Sequence, residues 1–134
     1  MYRESTQIRV RYGETDRMGY VYYGNYAEFY EVGRIDSLRK LGFSYKTMED
    51  NGIMLPVLSL QIKYIRPAFF DDLLTVVTTV SQLPKTRIQF SYEIFNEKNE
   101  LLNIGNTELV FINTNTNKPC MAPDDFLKAI EAYF

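Results

Sequence analysis

One long helical stretch stands alone in a chain that otherwise reads as strands, and it limits the folds available. From about Gly24 to Leu41, apolar or small residues recur at helical spacing: Tyr26, Phe29, Tyr30, Gly33, Ser37 and Leu41. Glu28, Glu31, Asp36, Arg39 and Lys40 take the polar positions, with Asp36 and Lys40 an i,i+4 pair of favourable polarity. Gly42 follows, where a left-handed cap is expected to end the helix. The apolar face is too wide to be buried along a thin seam. A curved antiparallel sheet wrapped around the helix would bury it.

The remaining residues supply such a sheet. Ile8, Val10 and Tyr12 alternate with Arg9 and Arg11, which predicts a half-buried strand over Gln7 to Tyr12. Leu58, Leu60, Ile62 and Tyr64 alternate with Ser59, Gln61 and Lys63, and Pro67 ends that run. Further strands are expected at Leu74 to Val80, at Ile88 to Ile94 and from Leu101 to Asn113, the last with Gly105 as a bulge. Asn96 to Glu100 reads as a hairpin turn, and Ser44 to Asn51 as a short helical turn. Pro123, Asp124 and Asp125 open a C-terminal helix expected to reach Phe134, its acidic residues in the favoured first turn. One helix among strands joined by short turns is an α+β pattern. A chain of 134 residues, with 11 Tyr and 9 Phe to bury, suits a single domain spanning residues 1–134.

Composition narrows the chemistry more than the fold. The chain has no histidine, which removes a Ser-His-Asp triad, a Cys-His pair and a histidine-based zinc site together. Catalysis would fall to carboxylates, Tyr, Ser, Lys, the lone Cys120 or backbone groups, and no metal is expected. A formal net charge of −2 with both signs interspersed leaves no basic stripe for nucleic acid. The N-terminus lacks the apolar run of a signal peptide, and no apolar segment is long enough to span a bilayer. A cytoplasmic protein without a transmembrane segment is the expectation.

The polar stretch from Tyr12 to Gly19 is where chemistry can gather. It holds two glycines and the carboxylates Glu14 and Asp16, and it runs into the helix N-terminus. Free backbone N–H groups and the positive end of the helix dipole lie there. Asp16 by itself suits a turn cap as well as catalysis. Glu14 reads as a loop charge at the edge of such a site, and Glu31 as one half of a helix ion pair with Arg34.

The order Tyr12, Glu14-Thr15-Asp16, Gly19, Tyr22-Tyr23, Asn25-Tyr26 and Phe29-Tyr30-Glu31-Val32-Gly33-Arg34 resembles the hotdog-fold thioesterases of the 4-hydroxybenzoyl-CoA thioesterase family. Within them it is similar to the acyl-CoA thioesterases associated with the bacterial Tol–Pal operon. Tyr64-Ile65-Arg66-Pro67-Ala68 and Asp71-Asp72-Leu73-Leu74 resemble the family's second and third strands.

The resemblance implies a five-stranded sheet of order 1-3-4-5-2 around the helix. Strand two, Leu58 to Arg66, would be an edge that pairs with its copy in a second subunit. It also implies hydrolysis of an acyl-CoA thioester, with Asp16 as nucleophile or general base and the Tyr23 backbone N–H as oxyanion donor. Tyr12 would sit beside the aspartate, and Asn25 would hydrogen-bond the loop and fix Asp16. Some hotdog thioesterases place the catalytic acid on the helix instead, which makes Glu31 the rival. The Tol–Pal enzymes usually carry histidine where Tyr23 stands; the 4-hydroxybenzoyl-CoA branch carries an aromatic residue.

Lys63, Arg66, Lys85 and Arg87, near strand ends, are candidates for the coenzyme A phosphates. Coenzyme A enters as part of the substrate, and no separate cofactor is implied. The expected partners are an acyl-CoA and further copies of the chain, as a dimer or a dimer of dimers. Two other functions stay open: an acyl-acyl carrier protein thioesterase, and a non-catalytic acyl-CoA binding module.

Overall fold

The computed structural model describes residues 1–134. Alternation becomes five long strands: β1 (Tyr2–Arg9), β2 (Val57–Tyr64), β3 (Leu73–Val80), β4 (Arg87–Phe95) and β5 (Leu101–Val110). They form one antiparallel sheet in the order β1-β3-β4-β5-β2, the 1-3-4-5-2 order of a hotdog fold. A second, small sheet joins Ile53–Met54, Ile112–Asn113 and Lys118–Pro119. No helix is long and apolar enough to cross a membrane.

The sheet's inner face is built on period two. Leu74, Val76 and Val80 on β3, and Ile88, Phe90, Tyr92 and Ile94 on β4, are buried. Across them lies helix α1 (Tyr26–Lys40), burying Tyr26, Phe29, Tyr30, Gly33, Arg34, Ser37 and Leu38. Each such large apolar side chain contributes about 1.5–3 kcal/mol on burial. Gly33 allows the helix to lie close on β3, since a Cβ there would stand 2.8 Å from Val76 Cγ1 and 2.7 Å from Thr78 Oγ1. Gly42, at φ +97°, closes the helix in the left-handed conformation expected of it. Beyond it come α2 (Tyr45–Asp50), whose Thr47 N–H donates to Ser44 Oγ at 3.0 Å, and α3 (Asp124–Glu131). Phe126 and Ile130 seat α3 in the core, and it ends short of the expected Phe134.

Several expectations change. The first strand is Tyr2–Arg9, not Gln7 to Tyr12. Its partly covered positions Glu4 and Thr6 are polar, so no apolar alternation marks them. The polar residues near the end of α1 lie above them: Thr6 donates to Asp36, and Lys40 pairs with both Asp36 (3.3 Å) and Glu4 (3.7 Å).

The last long strand stops at Val110, and Gly105 is not a bulge. It pairs in register with Ile62 and Tyr92. Its lack of a side chain makes room for Tyr30 of α1, whose ring would lie 2.4 Å from a Cβ at that position.

The buried stripe of α1 includes Arg34 and Leu38 and excludes Leu41, which caps the helix. Finally, Arg34 forms no ion pair with Glu31. Its guanidinium points inward and donates to the hydroxyls of Tyr45 (2.7 Å) and Tyr92 (3.2 Å). Burial works against that cation, and the neighbouring Tyr92 and Tyr45 oxygens outweigh it, leaving the group above its ordinary range.

Candidate functional site

The loop between β1 and α1 is stitched into one shape by its backbone. Asp16 N–H donates to Tyr20 O (2.8 Å), Gly19 N–H to Asp16 O (3.0 Å), and Val21 N–H to Ala68 O (2.8 Å). Gly19 turns the chain at φ +80°, a conformation costly for other residues. Asn25 does bind the loop, but at Glu14: its Nδ2 donates to Glu14 O at 2.8 Å, alongside Tyr22 N–H at 2.8 Å. Glu14 is a correction. Its side chain is buried, not a charge at the site's edge, and accepts from Arg11 N–H (2.7 Å) and the Arg11 guanidinium (3.2 Å).

Asp16 caps the turn with one carboxylate oxygen and borders a cavity as well. Oδ1 accepts from Met18 N–H (2.9 Å) and Tyr20 N–H (3.2 Å), the loop-capping contacts of an ordinary turn aspartate. No protein group hydrogen-bonds Oδ2. The same side chain lines a cavity of about 310 Å³, with Tyr23, Tyr26, Tyr64, Ile65 and Arg66 among its walls. One oxygen thus fixes the carboxylate while the other stays free beside an apolar, aromatic hollow.

The helix entrance borders that hollow at Tyr23. A 3-10 turn, Tyr23–Asn25, precedes α1. Neither Tyr23 N–H nor Gly24 N–H has a protein acceptor, as first-turn amides generally lack one. The Gly24 donor was not anticipated, although the same helix-start argument reaches it. The Tyr23 ring is 62% exposed and is not a core residue; Tyr64 OH donates to Tyr23 O at 3.2 Å. Tyr26 packs against Tyr64 at 5.6 Å between ring centroids, and burial raises the phenols of both, which keeps them protonated at neutral pH.

The other candidates divide. Arg66 lies on the cavity wall and pairs with Glu100 at 3.3 Å. Tyr12 starts a 3-10 turn, not a strand, and its ring turns out against Phe70 at 5.5 Å, away from the cavity walls. Lys63 faces away from α1, because its neighbour Ile62 pairs with Gly105, which faces Tyr30. Lys85 and Arg87 lie at the opposite end of the sheet, where Arg87 binds Glu108 at 2.8 Å. Within one chain the four cations therefore do not converge on Asp16. Glu31 is exposed and outside the cavity. Of Tyr20, Tyr26 and Tyr64, which wall the cavity, Tyr26 was marked by the Asn-Tyr pair and Tyr64 by its strand, while Tyr20 carried no sequence signal. No three His, Cys, Asp or Glu side chains gather as a metal site.

Comparison with known proteins places these features in company. The profile of the thioesterase-like superfamily matches residues 10–130. The acyl-CoA thioester hydrolase YbgC of Escherichia coli is 32% identical over 127 residues, covering 95% of this chain and 92% of that protein. The 1,4-dihydroxy-2-naphthoyl-CoA hydrolase of Thermosynechococcus vestitus is 29% identical over 103 residues, covering 76% and 70%. The crystal structure of a DHNA-CoA thioesterase from Staphylococcus aureus superposes with a TM-score of 0.93 at 42% identity, covering 99% of this chain and 91% of that one.

Proposed function

The chain belongs to the thioesterase-like superfamily, and from that membership we propose that it hydrolyses an acyl-CoA thioester at the Asp16 cavity. The observation that carries the reading is the half-committed carboxylate: Oδ1 is held by two N–H groups, and Oδ2 is free at a cavity that Tyr23, at the helix entrance, also lines. The thioester carbonyl sits with its oxygen toward the Tyr23 N–H, which stabilises the charge that develops there. Asp16 Oδ2 either attacks the carbonyl carbon or takes the proton of a water that does. Coenzyme A thiolate then leaves; the acid is released directly where water attacked, or after a water hydrolyses the acyl–Asp16 anhydride where the carboxylate attacked. A thiol of pKa roughly 8.5 is a good leaving group, so the scheme needs no strong general acid and no bound cofactor.

Thiol release from a panel of short, long and aromatic acyl-CoAs tests this. Turnover of at least one is expected. Binding of coenzyme A esters without turnover of any would replace the reading with a non-catalytic binding module.

The site is proposed to be completed by a second copy. The outer edge of β2 is unpaired, and Val57, Leu58, Leu60 and Tyr64 along that strand are all more than 40% exposed. Antiparallel pairing of two β2 edges would carry the Lys85 and Arg87 end of one copy toward the Asp16 end of the other, where they could meet coenzyme A phosphates. Light scattering at micromolar concentration should give two or four chain masses. A monomer would overturn this arrangement.

A further inference from the structure

The turn at the helix entrance is held at both shoulders. Tyr22 N–H and Asn25 Nδ2 each donate to Glu14 O at 2.8 Å, and Asn25 N–H closes the turn on Tyr22 O at 2.9 Å. Between the shoulders lies the Tyr23–Gly24 peptide. Gly24 has no side chain to brace it, and the Tyr22 ring folds over it, 2.8 Å from where a Cβ would stand. Tyr64 is the one side chain that hydrogen-bonds this peptide: its hydroxyl donates to Tyr23 O at 3.2 Å.

That hydroxyl comes from a fixed place. Tyr64 ends β2 and pairs across the ladder with Asn103. Ile65 and Arg66 follow, and their N–H groups both donate to Leu102 O, at 2.8 and 2.9 Å. Its ring stands edge-on to Tyr23, 6.5 Å between centroids, and packs on Tyr26 at 5.6 Å. Stability does not depend on the bond. Tyr64 and Tyr23 are both exposed enough for water to replace the hydroxyl, and such an exchange changes little in net free energy. The bond decides orientation instead. A peptide unit is planar, so pinning Tyr23 O fixes the Tyr23–Gly24 plane and, with it, the middle of the turn.

We propose that Tyr64 is a positioning residue for the hydrolysis. By pinning Tyr23 O, it holds the turn that carries Tyr23 N–H, the donor assigned to the thioester oxygen. Without the hydroxyl the turn relaxes at Gly24 and the donor loses its aim, and stabilisation of a developing oxyanion depends on that aim. This role rests on the Asp16 cavity being the acyl site.

Tyr64→Phe keeps the ring in the cavity wall and removes only the hydroxyl. With benzoyl-CoA, kcat should fall about 10-fold, short of the loss of about 100-fold or more for deleting such a donor, with KM within about two-fold. The melting temperature should not change. Infrared spectroscopy reads the donor directly. Benzoyl-CoA labelled with a heavy isotope at the carbonyl carbon is bound to the slow Asp16→Asn variant, and to Asp16→Asn combined with Tyr64→Phe. In the first its carbonyl band should lie below its position in water, and in the second it should move back. This arm decides the point even where turnover is too slow to follow. An unchanged kcat, a matching loss of melting temperature, or a lowered band that persists without the hydroxyl would overturn the role of Tyr64 and leave the thioesterase reading standing. No lowering in Asp16→Asn, or no binding at all, would sink the Tyr23 donor itself, and the role of Tyr64 with it.

Discussion

Asp16→Asn is expected to lower kcat/KM for a turned-over thioester by about 100-fold or more, with no loss of folding. The reason lies in the asymmetry of the carboxylate. The N–H groups of Met18 and Tyr20 need an acceptor at the Oδ1 position, so the amide oxygen of an asparagine settles there and the loop keeps its shape. The amide nitrogen then occupies the place of Oδ2. It has no lone pair to attack a carbonyl and no basicity to take a proton from water. Circular dichroism and melting temperature should match the wild type, which separates a chemical defect from a structural one. Glu31→Gln is the paired control, since Glu31 is exposed and lines no part of the cavity. Equal activity of Asp16→Asn and wild type would remove Asp16 from the mechanism.

Gly105→Ala should be among the most destabilising single substitutions. A Cβ there would stand 2.4 Å from Tyr30 Cε2, 2.6 Å from Tyr30 OH and 2.8 Å from the main-chain oxygen of Gln61. The backbone oxygen belongs to the paired strand β2 and cannot rotate away. Tyr30 is held on two sides, stacked on Tyr92 at 4.3 Å and bonded to Asn103, so its retreat breaks both contacts. Overpacking of this kind costs about 3 kcal/mol, at the upper end of the usual range. The melting temperature should fall by roughly 10 °C when both proteins are compared at one concentration. A shift of a degree or two would mean that β2 and β5 part easily, and that α1 does not depend on this close approach.

Much of the fold was legible because its signals are local. Period-two runs at Leu58–Tyr64, Leu74–Val80 and Ile88–Ile94 became strands close to their expected limits. Gly42 ended the helix, and Asp36 and Lys40 met as expected. The first strand was misplaced because its two central inner positions, Glu4 and Thr6, are polar and matched to the polar end of α1. Arg34 was misread for a related reason. Helical spacing brings Glu31 within reach of it, but the hydroxyls of Tyr45 and Tyr92, far away in sequence, draw the guanidinium inward.

The candidate site divides along the same line. Asp16 beside two glycines, ahead of a helix N-terminus, is a local arrangement, and the order of residues alone marks it. Long-range pairing decided the rest: that Arg66 alone of four cations joins Asp16, that Lys63 turns to the other face, and that Lys85 and Arg87 lie at the far end. By itself the sequence determined the element order, the helix with its acidic entrance loop, and the absence of any histidine chemistry. Only the tertiary structure decided which side chains share a cavity, that Gly105 is a seat for Tyr30, and that Tyr64 reaches the carbonyl of Tyr23. Helix and strand periods arise from neighbours a few residues apart. Cross-strand register, which joins residue 64 to residue 103, is set by the packing of the whole sheet against one helix.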